Sequence, residues 1–170
     1  MDAGSTTTTT HVTIDAVAWD DPDASLLRDT QQAEMRDLYQ DDDEPVPLTD
    51  PTTVSAMVVL RVDGVAVACG ALRRLVPGSW GDGEPGPGTG EVKRMFVRRE
   101  WRGRGLSRRV LRELEDRARD QGLQRLVLET GGLQTAAVAL YERSGYAPIP
   151  RYAGYADSPI SLCFAKDLTA

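Results

Sequence analysis

Between Val97 and Arg109 the chain reads VRREWRGRGLSRR, with Gly103 and Gly105 one residue apart and Arg102, Arg104, Arg108 and Arg109 around them. An apolar-periodic run opens at Leu106. Glycines admit positive φ and let a backbone approach a ligand closely. The first N–H groups of a helix have no partners within it and lie at the positive end of its dipole. Together these features hold phosphate or another anion. A plain strand-to-helix turn with a solvated basic face would use the same residues. A dinucleotide-binding GxGxxG is absent, because Arg108 stands where the third glycine belongs, and no GxxxxGK[ST] occurs. Three further side chains carry proton chemistry as candidates. Tyr141, Glu91 and Glu129 carry phenol and carboxyl groups able to give or take a proton. Each has a plainer reading: a helical Tyr packed on a sheet, or strand-end carboxylates serving as surface charge or as helix-capping partners.

The elements that must position these residues follow from periodicity. Residues 11–18 read as a strand. Asp20 to Asp23 with Pro22 open a helix that runs to Tyr39, with Leu26, Leu27, Met35 and Leu38 as its apolar stripe. The acidic stretch from Asp41 to Pro51 reads as a loop. Val54 to Val62 and Val65 to Val76 are β-rich and joined by Asp63-Gly64, a strong short-hairpin signal. Pro77 to Gly90 is too rich in Gly and Pro for regular structure. Glu91 to Val97 is a strand, and Gly105 to Gln121 an amphipathic helix with Leu106, Val110, Leu111, Leu114 and Ala118 on one face and Gly122 after its end. Arg125 to Thr130, a helix from Leu133 to Arg143, and strands at 146–149 and 160–166 complete the order, with an aromatic loop from Arg151 to Pro159. The hairpin implies antiparallel pairing and the strand–helix–strand alternation parallel pairing. The fold class is α/β (α+β): one mixed sheet of six to seven strands flanked by helices.

Composition excludes several functions. The chain has 170 residues and a formal net charge of -6, one domain's length and a poor surface for nucleic acid or an anionic membrane. An acidic surface is compatible with a cationic acceptor, and Asp41 to Glu44 could attract one. The single His, His11, and the absence of CxxC argue against a metal site or a His-based triad. Cys69 and Cys163 sit in apolar runs and read as small buried hydrophobes. The N-terminus lacks the basic and apolar regions of a signal peptide, and no run approaches a membrane span, so the expected location is cytoplasmic.

Arg102-Gly103-Arg104-Gly105-Leu106-Ser107 resembles the central [RQ]-x-x-G-x-[GA] motif of the GCN5-related N-acetyltransferases, with Ser107 in the last Gly/Ala slot. Ala139 to Tyr146, ALYERSGY, is similar to the second signature of that family. The order of elements agrees over residues 11–168. Residues 1–10, rich in Thr, read as a disordered tail; the resemblance implies 11–170 as one N-acetyltransferase domain and a sheet splayed at its centre. It implies acetyl-CoA as acyl donor, no metal, and direct transfer to a primary amine of a small molecule or peptide. By position it assigns the pantetheine arm to the backbone of Met95, Phe96 and Val97, and the pyrophosphate to the loop from Arg102 through Gly103, Arg104, Gly105, Leu106 and Ser107 to Arg108. Tyr141 resembles the family's general acid. Glu91, and less so Glu129, matches positions used for the base. Gln134 stands where the family often has an Asn touching the cofactor. Tyr152 and Tyr155 could stack on the acceptor. A homodimer is compatible with the family. The competing readings are a non-catalytic acyl-CoA-binding module of the same fold and a nucleotide-binding protein using the glycine loop.

Overall fold

A computed structural model describes residues 10–40, 49–75, 86 and 88–168. The tail expected before residue 10, most of the acidic loop and most of the 77–90 loop lie outside the described residues. Among the described residues seven strands and three α-helices alternate in the expected order: β1 (Val12–Val17), α1 (Pro22–Tyr39), β2 (Val54–Val62), β3 (Val65–Arg74), β4 (Thr89–Val97), α2 (Leu106–Asp120), β5 (Arg125–Gly131), α3 (Thr135–Arg143), β6 (Ala147–Ile149) and β7 (Ser161–Asp167). They form a single mixed sheet in the order β1-β2-β3-β4-β5-β7-β6.

Local chemistry accounts for most boundaries. The Asp21 carboxylate caps α1 by accepting from the Ala24 N–H at 3.1 Å, and Pro22 takes the first helical position. Asp63 and Gly64 adopt φ of 48° and 84° between the paired residues Val62 and Val65, the backbone of a two-residue type I′ turn. β4 starts earlier than its sequence suggests. Thr89 and Gly90 already pair with Arg125 and Leu126 of β5, so tertiary pairing overrides their loop-like composition.

All pairings are antiparallel except that of β4 with β5, which the crossover through α2 makes parallel. α2 and α3 cover one face of the sheet, where Leu106, Val110, Leu111, Leu114, Ala118 and Tyr141 join the largest core. Burying each Leu or Val there stabilises the fold by roughly 1.5–3 kcal/mol. α1 covers the other face over Met57, Val59, Cys69 and Phe96. Its inward residues are Ala24 and Leu27, whereas Leu26 and Leu38 of the expected apolar stripe are exposed. Farther along that face, Gln31 and Glu34 also reach inward to polar partners. α1 therefore shows a mixed stripe because part of it borders a cleft.

α2 approaches β3 at Gly70. A Cβ there would stand 2.8 Å from Val110 Cγ1 and 2.9 Å from both Leu114 Cδ1 and Met95 Sδ. Gly70→Ala is expected to cost about 1–3 kcal/mol by overpacking and to lower the melting temperature by roughly 3–10 °C. Calorimetric unfolding checks this, and an unchanged melting temperature would mean that α2 can shift away freely.

Candidate active site

β4 keeps its ladder with β3 as far as Val97 opposite Ala68, but its ladder with β5 ends at Glu91 opposite Val127. β5 continues beside β7 to Gly131 opposite Ser161. The backbones of 92–97 and 128–131 thus diverge, opening a wedge in the middle of the sheet. A bulge shapes one wall. Lys93 pairs with Ala71 and Phe96 with Cys69, so β4 carries an extra residue, and Arg94 within it has φ of 57°. The extra residue resets the alternation: Val92, Met95 and Val97 pack on the α2 side and Phe96 on the α1 side.

Two carbonyls of this wall meet side chains. Gln31 Nε2 donates to Met95 O and Arg102 Nε donates to Val97 O, both at 2.9 Å. Arg102 also forms an ion pair with Glu34, and its guanidinium lies 5.7 Å from the Phe96 ring centre. This arginine ties α1, β4 and the following loop together.

The glycine loop then enters α2. Gly103 and Gly105 adopt φ of 75° and 73°, which a side chain at either position would strain by roughly 1–2 kcal/mol. α2 has no side-chain cap. Among the described residues the N–H groups from Gly103 to Arg108 donate to no backbone carbonyl; the first amide bonded back toward the loop is that of Arg109, to Gly105 O. Six donors are therefore left at the positive end of a helix, with exposed Arg104 and Arg108 beside them. This array fits a pyrophosphate, and the unladdered wall of β4 fits an extended amide-bearing arm.

Beyond the point where the ladder ends lies a cluster of titratable groups on the α1 side. Glu91 is completely buried. Its Oε2 accepts from Arg73 Nε, and its Oε1 accepts from the Tyr152 hydroxyl at 2.8 Å and from the Tyr155 hydroxyl at 3.4 Å. Lys93 lies 3.9 Å from the same carboxylate and donates to the Tyr155 oxygen. Burial lowers the Lys93 pKa, and the neighbouring Glu91 charge opposes that shift. Glu129 is only half-buried. It accepts from Ser161 Oγ at 2.7 Å. Burial raises its pKa above the ordinary carboxylate value, although the Ser161 hydrogen bond pulls the other way. Tyr141 lies within the α2-side core, with ring centres 5.9 Å from Tyr146 and 6.4 Å from Phe164. Burial, and secondarily the Glu129 charge, raises its pKa, so the phenol keeps its proton.

The acetyltransferase (GNAT) family model matches residues 17–146, which span the wedge, the glycine loop and Tyr141. The chain belongs to this family. It is 40% identical over 111 residues to an Azospirillum brasilense protein named IAA acetyltransferase, covering 65% of this chain and 67% of that protein. A crystal structure from Klebsiella pneumoniae described as an acyl-CoA N-acyltransferase matches with a TM-score of 0.75 and 32% identity, over 92% of this chain and 97% of that one. An Elizabethkingia anophelis GNAT acetyltransferase solved with acetyl-CoA bound matches at a TM-score of 0.64 over 92% of this chain and 97% of that one, and at 15% identity the likeness is one of fold.

The GNAT chain brings together what the sequence kept apart. Glu91 and Glu129 lie on adjacent strands on the same face, and Glu129 is close enough to Tyr141 for its charge to act on the phenol. Gln134 stands at the N-cap position of α3 without a side-chain capping hydrogen bond, its Nε2 3.3 Å from where a Gly131 Cβ would stand. Tyr152 and Tyr155 are not exposed loop aromatics: Tyr152 is buried against Glu91, and the two rings pack edge to face at 5.4 Å. Arg73, Lys93 and Ser161 were not anticipated. The signal for Lys93 and Arg73 was available, since a charged residue inside each of two apolar strands needs a buried partner. Among the described residues, no helix is long and apolar enough to cross a membrane.

Proposed function

We propose that the chain transfers an acetyl group from acetyl-CoA directly to a primary amine. The observation that carries this reading is the junction of an open strand edge with an uncapped helix, at the place where β4 leaves β5 and runs into the glycine loop. Acetyl-CoA supplies the activated acyl group as a thioester. The backbone of Met95, Phe96 and Val97 lines its arm, and the amides from Gly103 to Arg108 take its pyrophosphate. The Azospirillum relative's name supports acetyl as the group moved.

Of the two carboxylates, the contacts favour Glu129 as proton acceptor, although sequence position favours Glu91. Both oxygens of Glu91 are engaged, one by Arg73 and one by two tyrosines, and the residue has no solvent-exposed surface. Among the described residues Glu129 accepts only from Ser161, and it is partly exposed. Its raised pKa brings it nearer the operating range of a general base. The Tyr141 phenol holds a proton for the leaving sulfur, and among the described residues it donates to no other protein atom.

Calorimetric titration with acetyl-CoA and thiol release against polyamines, aminoglycosides, amino acids and peptide N-termini test the reading. Saturable binding and turnover of at least one amine are expected, and no binding of acetyl-CoA would sink it. Tyr141→Phe should lower kcat by about 100-fold with KM little changed. Ser107→Gly should leave acetyl-CoA affinity within about threefold, because the loop works through backbone donors. A larger loss would bring the Ser107 hydroxyl into the site.

A further inference from the structure

On the α1 side of the sheet a cavity of about 470 Å3 opens between α1, the segment 49–51 and the β4 bulge, and it contains both Arg28 and Arg94. The bulge brings Arg94 to it, through the residue with positive φ. Arg94 Nε donates to Thr49 Oγ1 at 3.3 Å. Arg28 donates to Trp19 O at 2.6 Å and to Ser25 Oγ at 3.3 Å, and its guanidinium lies 3.8 Å from the Trp19 ring centre. Among the described residues neither guanidinium has a carboxylate within ion-pair distance, whereas Arg61, Arg73, Arg102, Arg117 and Arg119 all do.

Two like charges, half-buried and sharing one cavity, are costly for an acidic protein to leave without a counter-ion. Burial lowers the pKa of both, and the charge of Arg28 lowers that of Arg94 further. Among the described residues two carboxylates border the cavity, Asp29 and Asp50, and both are exposed. One oxygen of Asp50, Oδ1, accepts from the N–H and hydroxyl of Thr52, and Asp29 and Asp20 act on Arg28 only as weaker charges than burial does. The fork geometry of a guanidinium matches a carboxylate in two parallel hydrogen bonds.

Arg94 lies three residues beyond Glu91 on the same strand. Its charge acts on Lys93 and interacts with Tyr155, so the guanidinium pocket borders the carboxylate cluster. A small molecule bearing both an acid and an amine could reach from one to the other.

We propose that the Arg28–Arg94 pocket binds the carboxylate of the acceptor, which makes the acceptor an amino acid or another small aminocarboxylate rather than a polyamine or aminoglycoside. The proposal rests on the acetyl-transfer reading above. It is tested by thiol release with matched sets: L-α-amino acids, β-alanine and 4-aminobutyrate, each against its carboxamide and its decarboxylated amine. Turnover is expected with acids, and loss of the carboxylate should lower kcat/KM by at least about 100-fold. Arg94→Gln and Arg28→Gln should each raise KM for the acid by about 10- to 100-fold, with kcat nearly unchanged and acetyl-CoA affinity retained. Arg94→Lys should recover part of the loss.

Equal turnover of the amides or amines would overturn the proposal. So would the failure of every aminocarboxylate while acetyl-CoA still binds, or an unchanged KM in both Gln variants. Failure of the unmodified chain to bind acetyl-CoA would instead remove the acetyl-transfer reading, and this proposal with it.

Discussion

Glu129→Gln is expected to lower kcat/KM for amine acetylation by about 10²–10⁴-fold, the usual contribution of a positioned base, and to abolish the acidic limb of the pH–rate profile. In the unsubstituted protein that limb should lie above the ordinary carboxylate value, because burial favours the neutral form of Glu129. The same substitution should stabilise the fold at neutral pH. The folded pKa of Glu129 is raised, so the folded state holds the proton more tightly than the unfolded chain. Its contribution to stability is fully present below the unfolded pKa of about 4.5 and is lost as pH rises through the folded value. Above that value the ionised carboxylate burdens the fold, and Gln relieves it. The difference in melting temperature between variant and parent should therefore grow from pH 4 to pH 7 in favour of the variant. Full activity in Glu129→Gln would remove this residue from the chemistry.

Glu91→Gln should do the opposite. It removes one partner of an ion pair in which Glu91 is completely buried and Arg73 is 19% exposed at its side chain. Breaking a buried pair by removing one partner costs about 3–5 kcal/mol. The partial exposure of Arg73 puts the expected loss near the lower end, about 3 kcal/mol, or roughly 6–12 °C in melting temperature for a chain of this size. Two tyrosine hydroxyls would also exchange a charged acceptor for a neutral one. Activity per folded molecule should fall far less than in Glu129→Gln. Replacing Arg73→Met together with Glu91→Leu should recover only part of the lost stability: the desolvation of both charges disappears, but the Tyr152 and Tyr155 hydroxyls and Lys93 lose Glu91 as a partner. The two experiments separate the carboxylates: one variant loses rate and gains stability, and the other loses stability and keeps most of its rate. A loss of rate in Glu91→Gln matching that in Glu129→Gln, at a temperature where both are folded, would assign Glu91 to the chemistry.

Much of this was legible in the residues because its causes are local. Asp63-Gly64 makes a tight hairpin in whatever chain surrounds it, because the turn asks only for two residues that accept positive φ. The stripe from Leu106 to Ala118 needs only the helical period. Gly103 and Gly105 take up positive φ ahead of α2, so the turn into that helix is also written in short range. α1 was misread where its inward face turns polar. Hydrophobic periodicity cannot find a helix face that borders a cleft, and Leu26 and Leu38 ended up in solvent.

The sequence by itself determined the order of elements and the glycine loop ahead of α2 and, through its resemblance to the family, the candidates Tyr141, Glu91 and Glu129. Only the tertiary structure decided what surrounds them. The bulge at Arg94 depends on how β4 registers with β3, and that register swings an arginine into a cavity with Arg28, which lies far away in the chain. Tyr152 comes from a distant loop to bury Glu91, and Ser161 leaves Glu129 half-open. The two carboxylates differ neither in type nor in strand-end placement. Desolvation and long-range partners set them apart, and those exist only once the strands are packed.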